Sequence, residues 1–149
     1  MLSNTVLNHN QINRRNKMSG LDKPFTPPEK IATVWGKGSE FVQICFQSRG
    51  CRYSNAGYCI MCDYGRGRNL NPEEVDSYLR TSGVLSDSRI KELLIGSYGS
   101  CLDEYEISSE CFKVILQNLS LCHVPLIGFE THCDTITAKK LDTIKRLLS

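Results

Sequence analysis

The stretch that decides the fold lies at residues 41–65 and reads FVQICFQSRGCRYSNAGYCIMCDYG. Its first six residues form a short β-rich run, which predicts a buried strand. A loop rich in glycine and tyrosine follows directly and carries three cysteines, Cys51, Cys59 and Cys62. Three thiolates on one loop, with no obvious fourth, suit an iron–sulfur cluster that leaves one iron open to another ligand.

Further strands and helices alternate along the chain. Two more buried strands are predicted, over Glu92–Tyr98 and Pro125–Glu130. Three helices are predicted, from Pro72 to about Arg80 with Asn71 as N-cap, from a cap at Ser108 or Ser109, and from about Thr137 to Leu148. This repeated order is typical of an α/β protein with a parallel sheet, whose functional residues follow the carboxyl ends of the strands. The cysteine loop, the Gly99-Ser100 loop and Glu130 all fall at that edge, so the pattern predicts one site.

The bulk properties of the chain set its broad class. The 149 residues suit about one domain, and the net charge of +2 is too small to indicate a polyanion or a membrane surface as partner. No apolar run approaches the roughly 20 residues that cross a bilayer, so we expect a cytoplasmic protein with no membrane partner. Residues 1–30, rich in asparagine and proline, predict a flexible N-terminal arm, and residues 31–149 the folded core.

Zinc is the competing interpretation of the cysteine loop. The pair Cys59-x-x-Cys62 has metal-ligand spacing, and Cys51 could join it. His132 and Cys133 could complete such a site only if the fold brought the third strand alongside. The remaining cysteines are interpreted as small buried hydrophobic residues: Cys45, Cys101, Cys111, Cys122 and Cys133.

The cysteine motif resembles that of the radical S-adenosylmethionine (radical SAM) superfamily, with seven and then two residues between cysteines instead of the commoner three and two. A second segment, GSCLDEYEI at residues 99–107, resembles the Gly-Ser-Phe-Leu-Asp-x-x-Glu-[Val/Ile] segment of the branch that holds the archaeosine-biosynthesis radical SAM protein. The elongator catalytic subunit is more distant. A weaker match is GFETH at residues 128–132, and the whole resemblance covers about residues 40–149.

The resemblance implies a fold, a chemistry and a set of site residues. The fold would be a partial (β/α) barrel of the radical SAM type, with about three βα units. A [4Fe-4S] cluster on Cys51, Cys59 and Cys62 would bind S-adenosylmethionine and cleave it reductively to a 5′-deoxyadenosyl radical that modifies an unknown substrate. Contacts with S-adenosylmethionine are implied for six residues: Met61, Tyr64, Ser97, Gly99, Ser100 and Glu130.

The length of the chain limits this interpretation, because a complete radical SAM core contains about six βα units and only about three are predicted here. The expectation is therefore a truncated or split product, the N-terminal half only, or a half-barrel completed by a second chain. A reductant protein such as flavodoxin or ferredoxin would be a partner, and a tRNA nucleoside is the substrate class that the branch suggests. The alternative is a non-catalytic metal- or cluster-binding module, or an inactive fragment.

Two further interpretations concern single side chains. The acids Asp103, Glu104 and Glu106 precede a predicted helix, and acids favour that end of a helix, so we expect them to cap it. Three interpretations of His132 are open: a proton-transfer group, a neighbour of the cluster, or a surface histidine without a role. The last of these is preferred.

Overall fold

The structure, a computed structural model, describes residues 30–59 and 67–149. Its centre is a four-stranded sheet whose spatial order follows the chain: β1 (Ala32–Trp35), β2 (Phe41–Phe46), β3 (Glu92–Ser97) and β4 (Leu126–Phe129). The strands β2, β3 and β4 run parallel, whereas β1 pairs antiparallel with β2. The α/β class and the three parallel strands are thus confirmed. A partial barrel stays a prediction, and the predicted arm lies almost wholly outside the described residues.

Strand β1 is an element that the sequence pattern did not predict. It is only four residues long, and only Ala32 is buried. After it, the chain reverses through Gly36 and Gly38, both with positive φ, and enters β2 antiparallel. A β-carbon on Gly36 would lie 2.3 Å from the carbonyl oxygen of Phe41, so glycine is required at this turn.

Helices connect the parallel strands and cover the sheet. They are α1 (Arg52–Asn55), α2 (Pro72–Thr81), α3 (Ser109–Leu119) and α4 (Ala138–Leu148), with a 3-10 helix at Cys133–Thr135. The side chains of Asn71, Ser108 and Thr137 accept hydrogen bonds from backbone N–H groups in the first turns of α2, α3 and α4. These caps satisfy donors that would otherwise lack partners. They confirm the helix starts predicted from the sequence.

The core lies between the sheet and the first two long helices. Ile44 of β2 pairs with Ile95 of β3, and both are fully buried. Val75 and Leu79 of α2 are buried in the same hydrophobic cluster. Residues from α3, including Ile115, complete that cluster. The core therefore holds β2 and β3 firmly in the middle of the sheet.

Most of the isolated cysteines are buried, as predicted. Cys45, Cys101 and Cys111 are buried, and Cys122 is half-buried. Burial is the main reason that the pKa of Cys45 rises to about 11 and that of Cys101 to about 12, which keeps both thiols protonated at neutral pH. The prediction is wrong for Cys133, which is exposed because it begins the 3-10 helix on the surface.

None of the helices within residues 30–59 and 67–149 has the length and apolar character needed to cross a membrane.

Candidate metal and cofactor site

A cleft of about 410 Å³ opens at the carboxyl edge of the parallel strands. Its walls come from three loops, those that follow β2, β3 and β4. The register places Phe46 beside Ser97 and Ile95 beside Phe129, so the three strands end near one another. The lining residues are Cys51, Tyr53, Tyr58, Cys59, Ser97, Tyr98, Gly99, Glu130 and His132.

Two of the three predicted cluster ligands lie in this cleft. Cys51 is buried and follows Gly50, whose φ of 91° turns the chain sharply after β2. The carbonyl of Cys51 accepts a hydrogen bond from the N–H of Asn55, which fixes the start of α1. Cys59 is half-buried in the same cleft. The third predicted ligand, Cys62, lies outside the described residues, as do Met61 and Tyr64.

His132 is half-buried next to Cys51, which corrects the interpretation that it lies on the open surface. Its Nε2 is 3.6 Å from the Sγ of Cys51, and its ring meets that of Tyr53 edge-on at 5.7 Å. Its backbone N–H donates to the Oγ of Ser100 at 3.2 Å. The loop after β4 therefore returns across the sheet edge to the cysteine loop.

One ligand atom each from Cys51, Glu106 and His132 lie within 4.8 Å of one another. Thiolate, carboxylate and imidazole are all metal-binding groups. The structure thus brings His132 into the position that the zinc alternative required, whereas Cys133 does not belong to this group. The sequence predicted Glu106 as a helix cap and not as a member of this group, although its position in the loop after β3 was a signal for the site.

Glu106 is buried and bound on both carboxylate oxygens by donors from the protein. Its Oε2 accepts from the hydroxyls of Ser48 at 3.2 Å and Ser97 at 3.0 Å. Its Oε1 accepts from the N–H of Ser100 at 2.8 Å. Burial raises the pKa of Glu106, and these hydrogen bonds offset only part of that rise. Glu106 therefore binds across the loops, and the cap of α3 is Ser108 instead.

Asp103 forms a second buried link to the cysteine loop. Its carboxylate accepts from Nε of Arg52 at 2.5 Å, from Nη2 of the same side chain, and from the N–H of Tyr105 at 2.9 Å. Burial acts to raise the pKa of Asp103, but the bonds from Arg52 and Tyr105 outweigh it, and the pKa falls below its usual value. The prediction that Asp103 caps α3 is therefore also wrong.

The residues implied for S-adenosylmethionine binding lie at different depths. Gly99 packs so closely that a β-carbon there would be 2.7 Å from Cβ of Cys51. Glu130 is exposed at the end of β4, where its carboxylate accepts from Nε2 of Gln43 at 3.1 Å. Ser97 is buried but borders the cleft. Ser100 is fully buried, and its hydroxyl contacts those of Thr131 and Thr135 at 2.5 and 2.9 Å.

The fold and the site define an α/β protein in which side chains of types that can bind a metal lie together at the carboxyl edge of a mostly parallel sheet. A curated relative is archaeosine synthase subunit beta of Methanosarcina acetivorans, 29% identical over 106 residues. The match covers 64% of this chain and 31% of the relative, so the chain spans about a third of that protein's length. No family model matches the sequence. No solved structure matches it either.

Proposed function

We propose that this chain binds a [4Fe-4S] cluster through Cys51, Cys59 and Cys62, and S-adenosylmethionine in the adjoining cleft. It would act as part of a radical SAM enzyme that modifies a nucleoside of tRNA. The observation that carries the proposal is the shared cleft: Cys51 and Cys59 line it together with Gly99 and Glu130, which follow the next two parallel strands. The similarity to a subunit of archaeosine synthase supports a part in an enzyme that modifies a nucleoside.

The residues present fit these two groups. Cysteine thiolates are the usual ligands of iron–sulfur clusters, and the cleft of about 410 Å³ has the size of a small-molecule site. Gly99 has no β-carbon, which lets its backbone pack directly against Cys51 in the wall of the cleft. Bound together, the cluster and S-adenosylmethionine would supply one-electron reduction and a 5′-deoxyadenosyl radical, while the protein positions them.

Glu130 would orient S-adenosylmethionine. Its carboxylate lies on the cleft wall and is held by the side-chain amide of Gln43. One amide donor leaves acceptor capacity on the carboxylate, which suits a ligand ammonium group or ribose hydroxyls. Ser97 and Gly99 border the same space from the end of β3. Ser100 would act indirectly, because its hydroxyl and its N–H already bind protein groups.

The first proposed partner is a further chain or segment, because this chain matches only part of its relative. The matched protein is named as a subunit, and this chain spans about a third of it. A second chain, or further sequence, would complete the substrate-facing side beyond β4. A reductant protein such as flavodoxin or ferredoxin would deliver the electron. These partners belong to the proposal, as does a cytoplasmic location.

A second candidate function is a non-catalytic metal-binding module. The observation that favours it is the group formed by Cys51, Glu106 and His132, whose ligand atoms lie within 4.8 Å of one another. Zinc binds this mixture of sulfur, nitrogen and oxygen ligands. Such a module would hold its metal without any turnover of S-adenosylmethionine.

The two functions are separated by adding S-adenosylmethionine to anaerobically reconstituted protein. The radical SAM function predicts that it alters the electron paramagnetic resonance signal of the reduced cluster, and that dithionite then yields methionine and 5′-deoxyadenosine. Glu130→Gln should weaken this binding, whereas Glu92→Gln, an exposed acid at the opposite end of β3, should not. A protein that binds zinc, loses it in His132→Ala and never responds to S-adenosylmethionine would support the metal-binding module instead.

A further inference from the structure

The segment between β3 and α3, residues 99–106, contains two buried carboxylates that the proposed chemistry does not use directly. Asp103 and Glu106 are 1% and 3% exposed. Both bind residues of the cysteine loop, one on each side of Cys51: Arg52 follows it directly, and Ser48 precedes it by three positions. Because buried carboxylates are unfavourable unless they are well bound, this arrangement needs an explanation.

The bond between Asp103 and Arg52 fixes the residue that follows Cys51. The guanidinium donates from Nε and Nη2 to the two carboxylate oxygens, a planar arrangement that holds orientation as well as distance. The carboxylate is itself held by the N–H of Tyr105. Arg52 is the first residue of α1, so this link determines how the short helix leaves Cys51.

The bonds of Glu106 fix the chain that precedes Cys51. Its Oε2 joins the hydroxyl of Ser48, at the exit from β2, to that of Ser97, at the end of β3. The hydroxyl of Ser48 in turn accepts from the N–H of Gly50 at 3.4 Å. The donors to Glu106 among the described residues come from Ser48, Ser97 and Ser100, so this carboxylate joins the exit of β2 to the end of β3 and the loop that follows it.

Gly99 packs against both Cys51 and Glu106. A β-carbon at Gly99 would be 2.4 Å from Oε1 of Glu106 and 2.7 Å from Cβ of Cys51, so the segment and the cysteine loop are in direct contact. We propose that Asp103 and Glu106 are positioning residues that hold Cys51 at the cleft before any metal binds. This inference rests on the proposed function only in taking Cys51 as a metal ligand.

The test is the reactivity of the Cys51 thiol in metal-free protein, measured by iodoacetamide labelling and mass spectrometry. Asp103→Ala and Arg52→Ala should each raise the rate of labelling roughly tenfold, because the buried thiol then becomes exposed by local opening. The double variant should react no faster than either single one, because both changes remove the same interaction. Arg52→Lys, which keeps the charge but not the paired donors, should lie between.

The matched control is Arg80→Ala, which removes another arginine–aspartate pair, Arg80 with Asp76, on the surface of α2. Its labelling rate at Cys51 should equal that of the wild type. Asp103→Ala leaves buried space, so circular dichroism must show that this variant folds. If it does not fold, Arg52→Ala provides the test, because the Arg52 side chain is about half exposed. A further comparison is Ser48→Ala, which should produce a smaller rise because Glu106 keeps its bonds from Ser97 and Ser100.

A labelling rate in folded Arg52→Ala equal to that of the wild type would overturn the inference. The same variants are then reconstituted with iron and sulfide. The reduction potential or the electron paramagnetic resonance signal of the cluster should shift in Asp103→Ala and Arg52→Ala and should not shift in Arg80→Ala. If labelling rises as expected but the wild type takes up no iron, the positioning role stands and the proposed function fails.

Discussion

Strands β2 and β3 differ from β4 in burial, although the three run parallel in one sheet. Both β2 and β3 begin with an exposed residue and are otherwise buried or half-buried, whereas β4 has no buried residue. The helices show the same contrast, since α3 buries five residues and α4 buries none. The fully buried part of the core thus lies on the β2–β3 side of the sheet, whereas β4 and α4 add only partly buried residues such as Ile127 and Ile144 packed against it.

The polar contacts of the cysteine loop also differ from those of helix α4. The cysteine loop is held by buried carboxylates, Asp103 and Glu106, through several hydrogen bonds each. Helix α4 is tied to the rest of the chain by Lys140, whose Nζ donates to the carbonyls of Leu102 at 2.6 Å and Thr135 at 3.2 Å. A covering partner on the β4–α4 side, as the proposed function includes, would therefore bury surface that is open here.

The largest expected difference is between Ile95→Ala in β3 and Leu126→Ala in β4. Ile95 is fully buried, so its truncation should lower the free energy of unfolding by about 2–5 kcal/mol. Leu126 is 57% exposed, and its truncation should cost less than about 0.5 kcal/mol. Urea unfolding followed by circular dichroism measures both. Equal losses would show that β4 is packed as tightly as β3 and would remove the contrast.

A smaller difference in stability is expected between substitutions of Gly99, in the loop after β3, and Gly128, in β4. Gly99→Ala would place a β-carbon against Glu106 and Cys51, which should destabilise the protein by about 1–3 kcal/mol and reduce iron uptake. Gly128→Ala in β4 would meet only the flexible end of Leu94, at 3.2 Å, and should cost less than about 1 kcal/mol. Thermal unfolding and iron content of the two variants check this. Iron uptake lost equally in both would contradict it.

The smallest effect concerns two helix caps. Asn71→Ala removes the cap of α2, which buries Val75 and Leu79, and should lower the free energy of global unfolding by about 1 kcal/mol. Thr137→Ala removes the cap of α4, which has no fully buried residue, and should mainly accelerate hydrogen exchange within that helix. Protection that falls across the whole core in Thr137→Ala would show that α4 unfolds together with the core.

The elements that the sequence predicted well are those fixed by local rules. Asn71, Ser108 and Thr137 precede periodic apolar segments, and such caps depend only on neighbouring residues. The apolar runs of the three parallel strands are equally local. Strand β1 was missed because it is short and half-exposed, and its existence depends on pairing with β2.

Only those parts of the site that the order and direction of the strands determine could be predicted from the sequence. Parallel strands bring their carboxyl ends together, which correctly placed Cys51, Gly99 and Glu130 around one cleft. Asp103 and Glu106 were assigned to a helix start because the local rule favours acids there. Their partners on the cysteine loop, Ser48 and Arg52, lie more than 50 positions away in the chain, so only the folded structure reveals these pairings.

The most direct test of the proposed cluster is the iron and sulfide content of the anaerobically reconstituted protein, compared with a Cys59→Ala/Cys62→Ala variant. We expect about four irons and a matching amount of sulfide per chain, lost in the variant, with the absorption spectrum of a [4Fe-4S] cluster. About one zinc per chain in its place, or folded wild-type protein that takes up no iron, would contradict the proposed cluster.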